Sequence, residues 1–209
     1  MGGERRTPPD TGHVDLSMTR HVLEALRAAE IPKSEAVFER ACVFVERCQN
    51  RGQESAAGGH PDGGFFFTTT EFDTNKAGHD GQRYRSYGTT TADGILALLA
   101  AGRPPRDAGV VAAQRWLMAR HHDMAVPGFI GEVYQRWPHG LAFYYAAASA
   151  RAFHALKLDA GTGVVDGLLR TQRSDGSWAN PENLVKEDDP LIATPFAIRA
   201  LVAAHSLSE

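Results

Sequence analysis

The sequence predicts an all-α protein in which helical hairpins stack side by side into an α/α toroid or a partial toroid. Two observations predict this fold. Apolar residues recur every three or four positions through most of the 209 residues, and strand signals are almost lacking. The helical segments also contain an internal repeat, in which two kinds of helix alternate. Since one hairpin cannot bury its apolar stripe alone, neighbouring hairpins have to pack together.

The apolar periodicity predicts seven helices, which make about three and a half hairpins. They lie at residues 15–29, 35–50, 88–102, 107–121, 139–156, 161–173 and 190–206. We expect residues 15–209 to form a single domain and residues 1–14, rich in charge and proline, to be a flexible N-terminal segment. Two long loops, 51–87 and 122–138, are the expected places for function or motion.

The odd-numbered helices share a Thr or Ser that is followed seven positions later by the leucine of an Ala-Leu pair. The copies begin at Thr19, Thr91, Ser149 and Thr194. Small residues allow close packing, so these helices are expected to form an inner layer. The even-numbered helices share small, aromatic, aliphatic and polar positions, and a turn with glycine and an aromatic residue follows each. These turns read "DGGF" at 62–65, "VPGF" at 126–129 and "DGSW" at 175–178.

These stretches resemble the QW repeat of squalene–hopene and oxidosqualene cyclases. They read "RACVFVERCQ" followed by "DGGF", "AQRWLMARH" followed by "PGF", and "LLRTQRSDGSW", and no single copy is complete. The resemblance implies the terpenoid cyclase and protein prenyltransferase superfamily, whose helices form a toroid around an apolar cavity. It also implies that Gln49, Gln172 and Trp178 are structural staples of the repeat and not ligand-binding residues.

The catalytic motifs of that superfamily are missing. Cyclases of class II protonate an alkene with an aspartic acid from a D-x-D-D-T motif, but among the four corresponding stretches only Asp15 falls in a matching place. Prenyltransferases hold zinc through Asp, Cys and His, whereas Cys42 and Cys48 have no plausible partner set and are expected to be buried thiols. The pair His121-His122 indicates ordinary helix-end histidines. We therefore expect no metal and no cofactor.

Asp93, two residues after Thr91 on an inner helix, is the candidate catalytic residue. It is either an acid that faces the cavity or a partner of the helix dipole, and the sequence leaves both open. Aromatic residues are the candidates for an apolar ligand pocket, where their faces stabilise cations, although a core role is the alternative. They are Tyr84, Tyr87, Trp137, Phe143, Tyr144 and Tyr145.

Two further segments have competing interpretations. The cluster "KEDDP" at 186–190 predicts that Asp189 caps the last helix before Pro190, with Glu187 and Asp188 near its positive end. A catalytic carboxylate pair is the alternative. The loop at 71–88, which carries Lys76, either covers the mouth of the toroid or is a solvated excursion.

Composition narrows the classes of function. A net charge of −3 and an isoelectric point near 6.3 argue against a nucleic-acid partner. No apolar run approaches the roughly 20 residues of a transmembrane helix, and the start lacks a signal-peptide core, so we expect a cytoplasmic protein.

The sequence thus predicts a protein that binds an isoprenoid or another apolar small molecule or lipid, whether or not it is an enzyme of the cyclase or prenyltransferase type. The alternatives are a non-catalytic scaffold for other proteins and a carbohydrate-active α/α toroid. Three and a half hairpins are fewer than the resemblance implies for a closed toroid, so either the helices close tightly or a homodimer, a partner protein or a lipid covers the open inner face.

Overall fold

The computed structural model describes residues 14–51, 61–70, 74–80, 83–159 and 163–205, and this part of the chain is all-α. A two-residue antiparallel hairpin, β1 (His79–Asp80) and β2 (Arg83–Tyr84), is the only regular strand pair within it. The eight helices are α1 (Leu16–Ala28), α2 (Ala36–Arg47), α3 (Gly88–Ala100), α4 (Ala108–Arg120), α5 (Trp137–Gly140), α6 (Ala142–Leu156), α7 (Gly163–Thr171) and α8 (Pro190–His205).

The seven predicted helices correspond to α1 to α4 and α6 to α8, so the all-α prediction is confirmed. The sequence pattern missed the one-turn helix α5 and the hairpin, since both are too short to show a periodicity. The predicted flexible segment, residues 1–14, lies outside the described residues except for Val14. None of the described helices combines the length and the apolar character needed to span a bilayer.

The helices pack in an order that differs from their order in the chain. Helix α1 packs against α3, α3 against α6, and α6 against α8, so these four form one continuous row. Helix α2 packs against α1 and α3, α4 against α3, and α7 against α8. The four helices of the row are those that carry the Thr or Ser repeat, and the other three pack onto them.

Small residues explain why the row helices pack so closely. Every residue of α3 from Gly88 to Leu98 is buried. At Gly94 an added Cβ would lie 2.5 Å from the ring of Phe65, so only glycine allows that ring to rest on the helix. Between α6 and α8 the contact is made by alanines, among them Ala146 and Ala197, which are both fully buried.

The Gly-aromatic turn is built twice in the same way. In the first copy the Gln49 side-chain amide donates to the carbonyl of Gly63 at 2.8 Å, and in the second Gln172 donates to the carbonyl of Gly176 at 2.9 Å. Both glycines have φ of +84°, a left-handed conformation that favours glycine. Gln49 also donates to the carbonyl of Gly109 in the first turn of α4 at 2.8 Å, which ties three elements together.

The repeated threonine anchors the aromatic residue of each turn. The backbone N–H of Phe65 donates to the Thr91 hydroxyl at 3.1 Å, and that of Trp178 donates to the Thr194 hydroxyl at 3.0 Å. The Trp178 indole also donates to the carbonyl of Leu168 in α7 at 2.8 Å. The sequence repeat therefore corresponds to a repeated set of hydrogen bonds. Gln49, Gln172 and Trp178 take part in these bonds and so have a structural role in the repeat.

An aspartate opens each copy of the turn. The carboxylates of Asp62 and Asp175 each accept a hydrogen bond at 3.0 Å from the backbone N–H two residues later. The two copies differ in what precedes this aspartate. The first has residues 51–61 after the Gln-Asn pair, whereas the second has only Ser174 after Gln-Arg.

Candidate functional site

A cavity of about 290 Å³ lies where the N-terminal ends of α1, α3, α6 and α8 come together. We call it the helix-end cavity. Apolar and aromatic side chains form much of its wall. These are Met18, Phe67, Tyr87, Leu141, Tyr144, Val185, Ile192 and Phe196. The polar residues at its wall are Asp15, Ser17, His21, Lys76, Thr89 and Glu187.

Two carboxylates of the cavity cap helices. Asp15 precedes α1 and accepts a hydrogen bond from the Met18 N–H at 2.8 Å. Glu187 is fully buried and accepts from the N–H groups of Phe143 at 3.0 Å and Tyr144 at 2.8 Å, at the start of α6. A negative charge is stabilised at a helix N-terminus, so both positions are explained without catalysis.

The "KEDDP" cluster therefore divides between two helices. Asp189 precedes Pro190, the first residue of α8, and its carboxylate accepts from the Leu191 N–H at 2.9 Å, which is N-cap geometry. Glu187 was expected near the positive end of α8, but it binds the start of α6 instead. Lys186 has φ of +67°, and this left-handed residue lies at the point where the chain turns.

A buried polar network lies behind the cavity, around Asp93. The Asp93 carboxylate, which has no solvent exposure, accepts hydrogen bonds from the Ser17 hydroxyl at 2.6 Å and the Tyr144 hydroxyl at 2.9 Å. The Arg20 guanidinium donates to its other oxygen at 3.1 Å and to Glu24 at 2.9 Å. Burial lowers the pKa of Arg20, but the charges of Asp93, Tyr144 and Glu24 outweigh burial and raise it above its ordinary value.

The hydrogen bonds indicate that Asp93 holds the side chains of Ser17, Arg20 and Tyr144 in place. They argue against the two roles that the sequence left open, a catalytic acid and a partner of the helix dipole. An acid that protonates an alkene has to carry a proton, whereas three donors, one of them a guanidinium, stabilise the ionised carboxylate. The nearest partner of Asp93 is also a side chain and not the end of its own helix. Its contact with the cavity runs through Ser17 and Tyr144, which line the wall.

Two of the six aromatic candidates line the helix-end cavity. Tyr144 lies between α1 and α8, with its ring centroid 6.4 Å from that of His21 and 5.2 Å from that of Phe196. Tyr87 has its ring centroid 5.2 Å from that of Phe129. Burial, followed by the charge of Asp93, raises the pKa of both tyrosines above the ordinary value, so both hydroxyls stay protonated near neutral pH.

The other four aromatic candidates lie in the core or against other aromatic residues. Tyr84 stacks on Phe66 with ring centroids 4.8 Å apart, and Trp137 stacks on Phe129 at 6.2 Å. Phe143 belongs to the apolar cluster that joins α6, α7 and α8, and Tyr145 is fully buried in the main core. For these four, the structure favours the core role that the sequence gave as the alternative.

The pair His121-His122, which the sequence analysis weighed as a metal site, lies at the end of α4. The Nδ1 atom of His121 lies 2.8 Å from the Tyr145 hydroxyl, and burial lowers the pKa of this histidine. Across the part of the chain that the structure describes, no group of three or more His, Cys, Asp or Glu side chains is arranged to hold a metal ion.

Lys76, which the sequence analysis named only as part of the loop at 71–88, and His21, which it did not single out, both line the cavity. The Lys76 ammonium lies 3.4 Å from the ring centroid of Phe67, and burial lowers its pKa to about 8 despite the nearby charges of Asp15 and Asp93. The His21 Nδ1 atom lies 2.8 Å from the carbonyl of Ser17. Since a carbonyl only accepts, the neutral ring donates from Nδ1 and keeps Nε2 as an acceptor.

A larger hollow of about 740 Å³ lies between the end of α2 and α4. Three arginines line it, Arg47, Arg51 and Arg115, together with residues of the first turn copy. Residues 52–60, which continue the chain from its rim, are outside the described part. No site is assigned there for this reason.

Comparison with known proteins finds no matching family model, no matching curated protein and no matching solved structure. The part of the chain that the structure describes is all-α, with a partly apolar cavity at the N-terminal ends of the four row helices. The resemblance to the QW repeat rests on the residues quoted above and on the two equivalent turns.

Proposed function

We propose that this protein binds a short apolar molecule of the isoprenoid type in the helix-end cavity and is a relative of the terpenoid cyclases. The observation that carries the proposal is the cavity wall, in which aliphatic and aromatic side chains of α1, α6 and α8, and that of Tyr87 just before α3, face one space. Its volume, about 290 Å³, is at the low end of the roughly 300–1,000 Å³ of small-molecule sites. A short chain fits this volume better than a triterpene.

The same cavity supports the proposal that the helix row is an arc of an α/α toroid. Packed helices lie about 8–10 Å apart, so a straight row of four would separate its first and last axes by roughly 24–30 Å. Yet Met18 of α1 and Phe196 of α8, the two ends of the row, line one cavity of about 290 Å³. This shared cavity supports a curved row.

We propose binding without alkene protonation. The chain lacks the D-x-D-D-T motif, and Asp93 is ion-paired with Arg20 and screened from the cavity by Tyr144 and Ser17. A carbohydrate-active enzyme needs two carboxylates that are available across a cleft. Asp15 and Glu187 instead accept hydrogen bonds from helix N–H groups, which argues against that alternative.

A ligand series tests the proposal. Thermal unfolding would be followed with citronellol, farnesol and squalene, isoprenoids of increasing length of which the first two are alcohols and the third is a hydrocarbon. We expect citronellol to raise the melting temperature most and squalene to have no effect. A ligand at one hundred times its Kd adds about 2.7 kcal/mol to the free energy of unfolding.

Two neighbouring residues of α8 offer a matched pair of variants. Ile192 lines the cavity, so Ile192→Trp should fill it and abolish the stabilisation by citronellol. Leu191 is 83% exposed, and Leu191→Trp should leave that stabilisation unchanged. A wild type that no alcohol stabilises, or an Ile192→Trp variant that binds like the wild type, would contradict the proposal.

A further inference from the structure

We propose that Lys76 is a nucleophilic amine that captures the carbonyl group of an apolar aldehyde or ketone as an imine in the helix-end cavity. This inference rests on the proposed function and deepens it, because it names the chemical class of the ligand. Imine formation needs an amine at an accessible wall, an uncharged fraction of that amine, and a place for the apolar body of the carbonyl compound. The structure supplies all three.

The position of Lys76 differs from that of every other lysine. The chain has four lysines, and Lys33, Lys157 and Lys186 are exposed, whereas Lys76 is half-buried and lines the cavity. Its ammonium lies over the face of Phe67, 3.4 Å from the ring centroid. The buried carboxylate of Asp93 forms its ion pair with Arg20 and not with Lys76.

The surroundings increase the uncharged fraction of this amine. Burial lowers the pKa of Lys76 to about 8, whereas an ordinary lysine has a pKa of about 10.4. At pH 8 about half of the Lys76 side chains are therefore uncharged, against roughly 0.4% of a lysine that has the ordinary pKa. The difference in reactive amine is on the order of a hundredfold, because only the uncharged form attacks a carbonyl.

The reaction balances with groups that the cavity contains. The Nζ lone pair forms a bond to the carbonyl carbon while the carbonyl π electrons move to oxygen, and transfer of one Nζ proton to that oxygen gives a carbinolamine. The oxygen then leaves as water with a second proton, and loss of the last Nζ proton leaves the imine, so both hydrogens of the water come from Nζ. His21 lines the same cavity, and its Nε2 atom, an acceptor in the neutral ring, can take up and return these protons. The face of Phe67 stabilises the protonated imine as it does the ammonium.

Reductive trapping tests the inference. Wild-type protein at pH 8 would be incubated with citronellal and sodium cyanoborohydride, digested, and mapped by mass spectrometry. We expect Lys76 to carry the alkyl group at least tenfold more than Lys33, Lys157 or Lys186. Within one sample the exposed lysines are the internal control, so the result does not depend on a variant that folds poorly.

A variant of Lys76 and a polar aldehyde serve as further controls. Lys76→Arg keeps the cation over Phe67 but should lose the selective label. Glycolaldehyde, which has no apolar body for the cavity to hold, should label Lys76 with a smaller excess over the exposed lysines than citronellal does. Equal labelling of all lysines by citronellal, or an excess at Lys76 that is as large with glycolaldehyde as with citronellal, would overturn the inference. If citronellol stabilises the protein while citronellal leaves Lys76 unmodified, the inference fails and the proposed function stands. If citronellol has no effect either, both fail.

Discussion

Replacing Arg20 by methionine should destabilise the protein strongly, because Arg20 is the cation beside the fully buried Asp93. The variant keeps much of the side-chain volume but removes the 3.1 Å ion pair and leaves Asp93 with two neutral donors, Ser17 and Tyr144. Breaking a buried ion pair by removing one partner costs about 3–5 kcal/mol. The loss should be near the lower end of that range, since the two hydroxyls still solvate the carboxylate.

Substitution of the other partner of the ion pair, Asp93→Asn, should lower the free energy of unfolding by less, about 1–3 kcal/mol. Arg20 then keeps its ion pair with Glu24 at 2.9 Å, so its charge stays compensated. Glu24 is in turn held by Arg151 at 2.8 Å. The network therefore predicts that Arg20→Met lowers the free energy of unfolding more than Asp93→Asn does.

Urea unfolding followed by circular dichroism measures both variants and the double variant. We expect the double variant to lose less than the sum of the single losses, with a coupling of about 0.5–3 kcal/mol. Arg40→Met, at an exposed position of α2, is the control and should change the free energy of unfolding by less than about 0.5 kcal/mol. A loss below 1 kcal/mol for Arg20→Met, or strictly additive losses, would refute the reasoning.

Three further predictions follow from the caps, the turns and the exposed face. Burial raises the folded pKa of Glu187 above its ordinary value, so the wild type loses stability as the pH rises from the ordinary pKa of about 4.3 through the folded pKa. Glu187→Gln should flatten the pH dependence of urea unfolding over this interval. A parallel curve would contradict this. Thr91→Val should cost about 1–3 kcal/mol and Thr194→Val less, because only Thr91 is fully buried; calorimetry showing the opposite order would count against it. Helix α8 exposes the apolar side chains of Leu191, Ile198 and Val202. If a second copy covers them, native mass spectrometry should detect a dimer that Leu191→Asp dissociates, and a wild-type monomer would exclude it.

The fold could largely be predicted from the sequence because its signals are local or repeated. A 3.6-residue period marks each long helix, and the Thr repeat separates the row helices from those that pack onto them. In the second turn the Gln and Gly positions, Gln172 and Gly176, act within four residues of one another. Such short-range geometry leaves a pattern in one sequence.

The site could be predicted only in part because it is assembled over long distances in the chain. Asp93 was identified, but its partner Arg20 lies 73 residues earlier, and no periodicity links the two. Arg20 occupies a helix position where an arginine is usually solvated. Lys76 precedes the inner helix in an irregular loop, and its closeness to Phe67 depends on how that loop folds back.

The twice-built turn has a consequence for modifying this protein. Its first copy accommodates residues 51–61 where its second has Ser174, while the Gln-Gly and Thr-aromatic bonds are the same in both. The chain thus already contains both a long and a short version of one connection. Position 174 is therefore suited to accept an inserted peptide or a fluorescent label, and such a probe would report on α7 and α8 without touching the cavity.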